Sequence, residues 1–188
     1  LVVHPDETYV KIRHNDQYLY LSKERLSIIE GDYEIIEELK GEDLAYREYE
    51  QLFTFIRPEE KAFFIATATY VTTEDGTGIV HTAPAFGQDD YNTGMRYGLP
   101  VIQPVDEQGK FTEEITDWAG LFVKEADKGI IRNLNERGLL YKRMQIMHSY
   151  PFCWRCDSPL IYFARSTWYV RTSEFKDLML EENRKINW

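Results

Sequence analysis

The stretch YVKIRHNDQYLYL, residues 9–21, constrains the fold more than any other part of the chain. Two alternating runs flank Asn15-Asp16. A strand points successive side chains to opposite faces, and Asn and Asp tolerate the left-handed backbone that a two-residue hairpin turn needs. An antiparallel hairpin is therefore expected near the start. Ser22 is placed to cap a short helix running through Ile29, which Gly31 would end. The acidic stretch 32–61 suggests a strand or short helix at Ile35-Ile36, a turn at Gly41 and a connector onto the core.

Further along, β-branched and aromatic residues predict strands over 62–71 and 77–83, the second of them buried. Residues 99–106, LPVIQPVD, suggest a strand broken by prolines, and 107–110 a turn. A helix is expected over 87–97. The clearest helix is 123–138, where Val123, Ala126, Ile130, Ile131 and Leu134 recur at i, i+3 and i+4 and Gly138 stands as C-cap. Residues 139–150 and 160–172 look strand-like, and a last helix begins at Ser173. No regular βαβ rhythm connects these elements. The fold class expected is α+β, an irregular barrel-like β core with surrounding helices.

Bulk composition narrows the function. The 188 residues include 32 acidic and 22 basic side chains, a formal net charge of −10. That argues against a free-standing binder of nucleic-acid backbone, which needs clustered Lys and Arg, but leaves room for one local RNA contact. No apolar run approaches the ~20 residues of a membrane span. With two cysteines, Cys153 and Cys156, there is no disulfide framework, and a cytoplasmic setting is the simplest inference. The start without methionine or signal-like segment and the end after a charged run suggest a piece of a larger protein.

The most unusual stretch is GTGIVHTAPAFGQDDYNTG, residues 76–94. Gly76 and Gly78 allow close approach or a sharp turn, and His81 sits among Ile79, Val80 and Ala83. On spacing alone His81 reads as a core histidine satisfied by a backbone carbonyl. Asp89 and Asp90 fall in a first helical turn, where negative charge is favoured by up to about 1 kcal/mol. The alternative is that one of them turns inward to hold a cation such as an α-ammonium group. Neither a nucleophile elbow nor a phosphate-binding glycine motif is present, and a metal site at His81 and Asp90 lacks further ligands, which disfavours a metal-dependent hydrolase.

EDGTGIVHTAPAFGQDDYNTG, followed in order by YGLPVIQPVDEQGKF, GLFVKEA, HSYPFCWRCDSPLIYFA and WYVRT, resembles the editing insertion (connective peptide 1) of the isoleucyl-tRNA synthetase family of class I enzymes. Valine-specific relatives carry a lysine where His81 stands, which points to the isoleucine branch. The resemblance implies an editing domain over 1–146, truncated on its N-terminal side, and a return stem over 147–188 leading back to a catalytic Rossmann domain. It implies hydrolysis of mischarged Val-tRNA(Ile). One methylene is worth only ~1–3 kcal/mol of discrimination, a limit for which isoleucine enzymes rejecting valine are themselves the standard illustration. The partners implied are the tRNA(Ile) 3′ end carrying valine and the catalytic domain. The cofactors are none here, with ATP, Mg and Zn in the longer enzyme.

Residue by residue, the resemblance gives Asp90 the grip on the α-ammonium and His81 the placing of the ester or terminal ribose. Val80, Thr82, Ala83 and Phe86 are wall candidates, and Asp89 is a solvated helix-start charge. The family also uses a segment of the form Trp-Thr-Thr-Thr-Pro-Trp-Thr just upstream of the first residue here. Thr67, Thr69, Thr72, Thr73 and Thr77 do not reproduce it. A piece lacking it is expected to hydrolyse poorly, or to act only as a non-catalytic module docking the tRNA 3′ end. Cys153 and Cys156 have the C-x-x-C spacing of half a tetrahedral zinc site, with His148 close in sequence and the partner cysteines expected elsewhere in the longer enzyme.

Overall fold

The structure is a computed structural model and describes residues 1–145 and 149–187. The expected hairpin is its centre. Strands β2 (Thr8–His14) and β3 (Gln17–Ser22) pair antiparallel from Tyr9↔Ser22 to His14↔Gln17. Asn15 and Asp16, at φ 46° and 60°, close the turn. Strand β4 (Glu34–Lys40), inside the acidic stretch, pairs with the other edge of β2, with a register shift between Lys11 and Ile12. A shift of this kind bends a sheet. Both faces of β2 are used. Val10 and Ile12 join Leu21 against Leu26, Ile28 and Ile29, while Tyr9 faces the other way and packs with Val3 and Leu44.

A second, two-stranded sheet pairs β1 (Val2–Val3) in parallel with β5 (Ala66–Thr67). Around the sheets lie α1 (Gly41–Leu44), α2 (Gln88–Tyr97), α3 (Val123–Glu136) and α4 (Lys176–Arg184). α3 ends as its sequence predicts. The Gly138 N–H donates to the Asn135 carbonyl (3.0 Å) and the Leu139 N–H to that of Leu134 (2.9 Å), with Gly138 at φ 68°. This is a Schellman closure. Ala126 and Ile130 of α3 pack on Trp118, which meets Phe53 edge-on at 5.5 Å.

The class is α+β as expected, but the sheets do not close into a barrel, and the strands are shorter than their composition suggests. Of 62–71 only Ala66–Thr67 is a strand, and of 77–83 only Val80 makes a bridge, to Val2. Residues 99–106 contribute one bridge, Val105 to Phe111. Residues 139–145 and 160–172 form no strand. The rest of the first of these runs, with His148, reaches outside the described residues. β-propensity reflects fit to a pleated, half-buried surface, and without a neighbouring strand it yields extended chain only. Ser22 does not cap a helix through its side chain. It belongs to β3, and a 3₁₀ turn, Lys23–Ile28, follows and ends at Ile29 rather than Gly31. The last helix is preceded by a 3₁₀ turn, Thr172–Phe175.

Candidate functional site

The 74–80 segment is laced to the hairpin layer instead of being woven into a sheet. Arg25 donates to the carbonyls of Glu74 (2.8 Å) and Gly76 (3.0 Å), and the Ser22 N–H to that of Thr77 (2.8 Å). Val2 and Val80 exchange backbone bonds at 2.7 and 3.0 Å. The fully buried Tyr9 donates its hydroxyl to the Gly78 carbonyl at 2.8 Å and accepts from the His4 N–H at 2.9 Å. Burial raises the Tyr9 pKa above its ordinary value, against the smaller pull of the His4 N–H, so the phenol stays a neutral donor. Gly78 has φ 72°, and a Cβ there would sit 2.6 Å from the Ser22 Cβ, so this crossing requires glycine.

The chain then turns, with the Phe86 N–H on the Ala83 carbonyl at 2.8 Å, and enters α2 from Gly87. Asp90, Thr93 and Tyr97 stand at i, i+3 and i+7, one face of that helix. The face is sewn down by hydroxyls. Thr82 Oγ1 donates to Asp90 Oδ1 at 2.7 Å. Thr93 Oγ1 donates to the Tyr70 hydroxyl at 3.4 Å, and the Tyr97 hydroxyl meets Thr67 Oγ1 at 2.8 Å. Gly94 lets the helix approach the turn, since a Cβ there would lie 2.8 Å from Pro84 Cγ.

Of the residues singled out from sequence, Asp90 and Thr82 are brought into direct contact. His81 is exposed, which overturns its reading as a core histidine. That part is played by His14, buried, with Nδ1 on the Asp32 carbonyl at 3.0 Å and Nε2 accepting from Asn15 at 2.9 Å. The reason is that 77–83 is not a strand, so His81 does not follow Ile79 onto the packed face. Val80 is exposed at its bridge, Ala83 is half-buried in the turn, and Phe86 meets Phe163 edge-on at 6.4 Å. Asp89 is exposed, as expected of a helix-start charge. Tyr70 and Thr93 were not legible as site residues. Thr93 follows from Asp90 by helical spacing, whereas nothing in the sequence ties Tyr70 to Thr82.

The other side of α2 borders a different space. Gly87, Gln88 and Tyr91 face Tyr162, Phe163 and Tyr169 across a cavity of about 940 Å³. The extended segment on its far side is held by the Ala164 N–H on the Ala85 carbonyl (2.8 Å) and by Gln103 Nε2 on the Ala164 carbonyl (3.1 Å). Asp90 does not line this cavity, so the cavity and the carboxylate belong to opposite faces of one helix.

In the knuckle, the Cys153 N–H donates to the Ser158 carbonyl and the Asp157 N–H to the Cys153 carbonyl, both at 2.8 Å. Hydrogen bonding with the Ser158 side chain and then its backbone, and with Cys153, holds the exposed Cys156 thiol below its ordinary pKa. Among the described residues no three His, Cys, Asp or Glu side chains are grouped to hold a metal ion. The two thiols supply half of a tetrahedral set. No helix among the described residues is long and apolar enough to cross a membrane.

No family model matches the chain. Curated relatives do, over its whole length. The isoleucine–tRNA ligase of Clostridium novyi is 49% identical over 189 residues, that of Clostridium acetobutylicum 47% over 188, and that of Picrophilus torridus 45% over 188. The chain spans 18% of the length of each. A solved crystal structure, GlLeuRS-CP1, superposes with a TM-score of 0.54 at 18% identity, covering 77% of this chain and 78% of that one. Sequence thus supplies the branch and structure the fold: the chain belongs to the isoleucine–tRNA ligase family, as a segment with the connective-peptide-1 editing-domain fold of class I synthetases.

Proposed function

We propose that this segment carries out proofreading, hydrolysing the ester of valine mischarged onto tRNA(Ile). Water adds to the ester carbonyl carbon, the bond to the ribose oxygen breaks, and valine leaves as its carboxylate with the ribose hydroxyl restored. Asp90 is the acceptor for the α-ammonium. A carboxylate suits that role because charge-assisted hydrogen bonds are both strong and directional. His81, exposed one residue before Thr82, is the side chain that places the terminal ribose or ester. Val80, Ala83 and Phe86 serve as walls. In this reading aminoacylation, with its ATP and Mg, belongs to the rest of the longer enzyme.

The observation that carries the reading is the fixed carboxylate. Thr82 holds one Asp90 oxygen at 2.7 Å, at the start of a ten-residue helix. A carboxylate serving only as a helix-start charge does not need a side-chain clamp. The test is deacylation of Val-tRNA(Ile) by the full-length ligase and its Asp90→Ala variant. Loss of an interaction with a charged group predicts a fall of roughly tenfold or more in kcat/KM. Unchanged deacylation in the variant overturns the reading. Retention of Val-tRNA without hydrolysis by the unaltered ligase supports instead a docking module without chemistry.

A further inference from the structure

Four hydroxyl or carboxylate groups from three separate stretches of chain meet beneath the start of α2: Tyr70, Thr82, Asp90 and Thr93. Thr82 Oγ1 lies 2.7 Å from Asp90 Oδ1, the Tyr70 hydroxyl 3.4 Å from Thr82 Oγ1, and Thr93 Oγ1 3.4 Å from the Tyr70 hydroxyl. Thr93 is buried, and Tyr70 and Thr82 are half-buried.

Proton counting fixes the direction of this chain. Each hydroxyl carries one proton, and an ionised carboxylate only accepts. The Thr82 proton is committed to Asp90. Thr82 can therefore meet Tyr70 only by accepting, so Tyr70 donates. The Tyr70 oxygen in turn accepts from Thr93. The order runs Thr93 → Tyr70 → Thr82 → Asp90, every donor pointing at the carboxylate. Hydrogen bonds aligned in this way polarise one another, so the two 3.4 Å contacts back the 2.7 Å bond from Thr82 to Asp90. The carboxylate itself fits because residue 87 lacks a side chain: a Cβ on Gly87 would fall 2.2 Å from Asp90 Oδ2. One carboxylate oxygen, Oδ1, is thereby held by Thr82, while Oδ2 lies beside Gly87 without a hydrogen bond to another described residue.

We propose that Tyr70 and Thr93 are positioning residues that act through Thr82 to aim the Asp90 carboxylate at the ammonium group of the mischarged amino acid. This rests on the proofreading role given to Asp90 above. An ammonium is present in both the bound ester and its transition state, so loss of aim weakens the two alike. The signature is a raised KM with kcat nearly unchanged.

The experiment measures kcat and KM for deacylation of Val-tRNA(Ile) by the full-length ligase carrying Thr82→Val, Thr82→Ser, Tyr70→Phe or Thr93→Val, with Asp90→Ala as reference and melting temperature as a check on folding. Thr82→Val, which keeps shape and removes the hydroxyl, is expected to raise KM roughly tenfold or more, the effect of removing a hydrogen bond to a charged group. Thr82→Ser restores the unaltered KM. Tyr70→Phe and Thr93→Val, removing contacts near the outer limit of hydrogen-bond length, raise it about threefold. A normal KM in Thr82→Val beside a defective Asp90→Ala overturns the hydroxyl chain and leaves the proofreading role standing. So does a fall in kcat at constant KM, or a serine that fails to rescue. Normal deacylation by Asp90→Ala overturns both.

Discussion

Residues 2–126 and 150–187 are built from similar apolar and aromatic side chains and come out differently. The first stretch holds every buried residue among those described, most of the apolar ones gathered in four small clusters around Val2, Val3, Val10 and Ile115. The second buries none, and Trp154, Trp168, Tyr169 and Val170 are largely or wholly exposed. LIYFARSTWYVRT has as much β-branched and aromatic content as the hairpin, yet forms no ladder. What separates them is a partner. β2 has strands on both edges and packing on both faces, whereas 160–172 meets the rest through scattered single contacts, among them the Ala164–Ala85 and Gln103–Ala164 bonds, the Phe86–Phe163 ring contact and the Arg165–Glu107 ion pair. Residue type states a preference for a pleated surface, and only a neighbour supplies one.

The sharpest way to break this comparison is a pair of truncations. Ile12→Ala removes a fully buried side chain from the cluster under the hairpin and should destabilise by roughly 2–5 kcal/mol. Trp168→Ala removes a larger side chain that touches solvent on all sides and should stay within about ±0.5 kcal/mol. Both are read by denaturant unfolding of the 188-residue chain. A comparable loss from Trp168→Ala would mean that the C-terminal stretch is packed after all.

The same contrast explains what could be read from sequence. The hairpin, α2 and the end of α3 were legible because local rules decide them: Asn15-Asp16 set a turn, Gly87 and the aspartates set a helix start, and Gly138 set a Schellman closure. The strands at 62–71, 77–83, 99–106 and 160–172 were over-read because a strand needs a partner that the local text does not name. The candidate site divides likewise. The motif places Asp90 and Thr82 close in number, and the contact between them is local. His81 is exposed because 77–83 is tied down by single crossing bonds and does not alternate with a period of two. Tyr70 was invisible, since its contact with Thr82 exists only once β5 and α2 are placed against each other.

A smaller effect tests whether the packed half also positions the site. The Tyr9 hydroxyl is the one side-chain bond from the hairpin's buried face to the Gly78 carbonyl among the described residues. Tyr9→Phe keeps the ring and leaves that carbonyl and the His4 N–H short of a buried partner, which costs roughly 1–3 kcal/mol. If the lacing of 74–80 matters as argued, hydrogen exchange at Gly78 and Val80 should rise more than at Val10 and Ile12. Uniform acceleration would show that Tyr9 acts on global stability alone and that the loop is held by its backbone bonds.

The smallest effect asks whether charge contributes to the difference between the two regions. Lys23 reaches both Glu38 oxygens, at 2.8 and 2.9 Å, on the packed sheet, and Arg171 reaches Glu174 at 2.7 Å in the open stretch. By location the first looks structural and the second incidental. Both pairs, however, have side chains about half exposed or more. Exposed ion pairs gain little Coulomb energy in water, lose side-chain entropy, and are screened by salt, so each is worth roughly 0–1 kcal/mol wherever it sits. Lys23→Ala and Arg171→Ala should therefore both change unfolding free energy by less than about 1 kcal/mol, and by less still at high salt. Equal, small values place the whole difference between the regions in apolar packing. A markedly larger, salt-sensitive loss from Lys23→Ala would show that the acidic β4 edge needs its lysine to stay on the sheet.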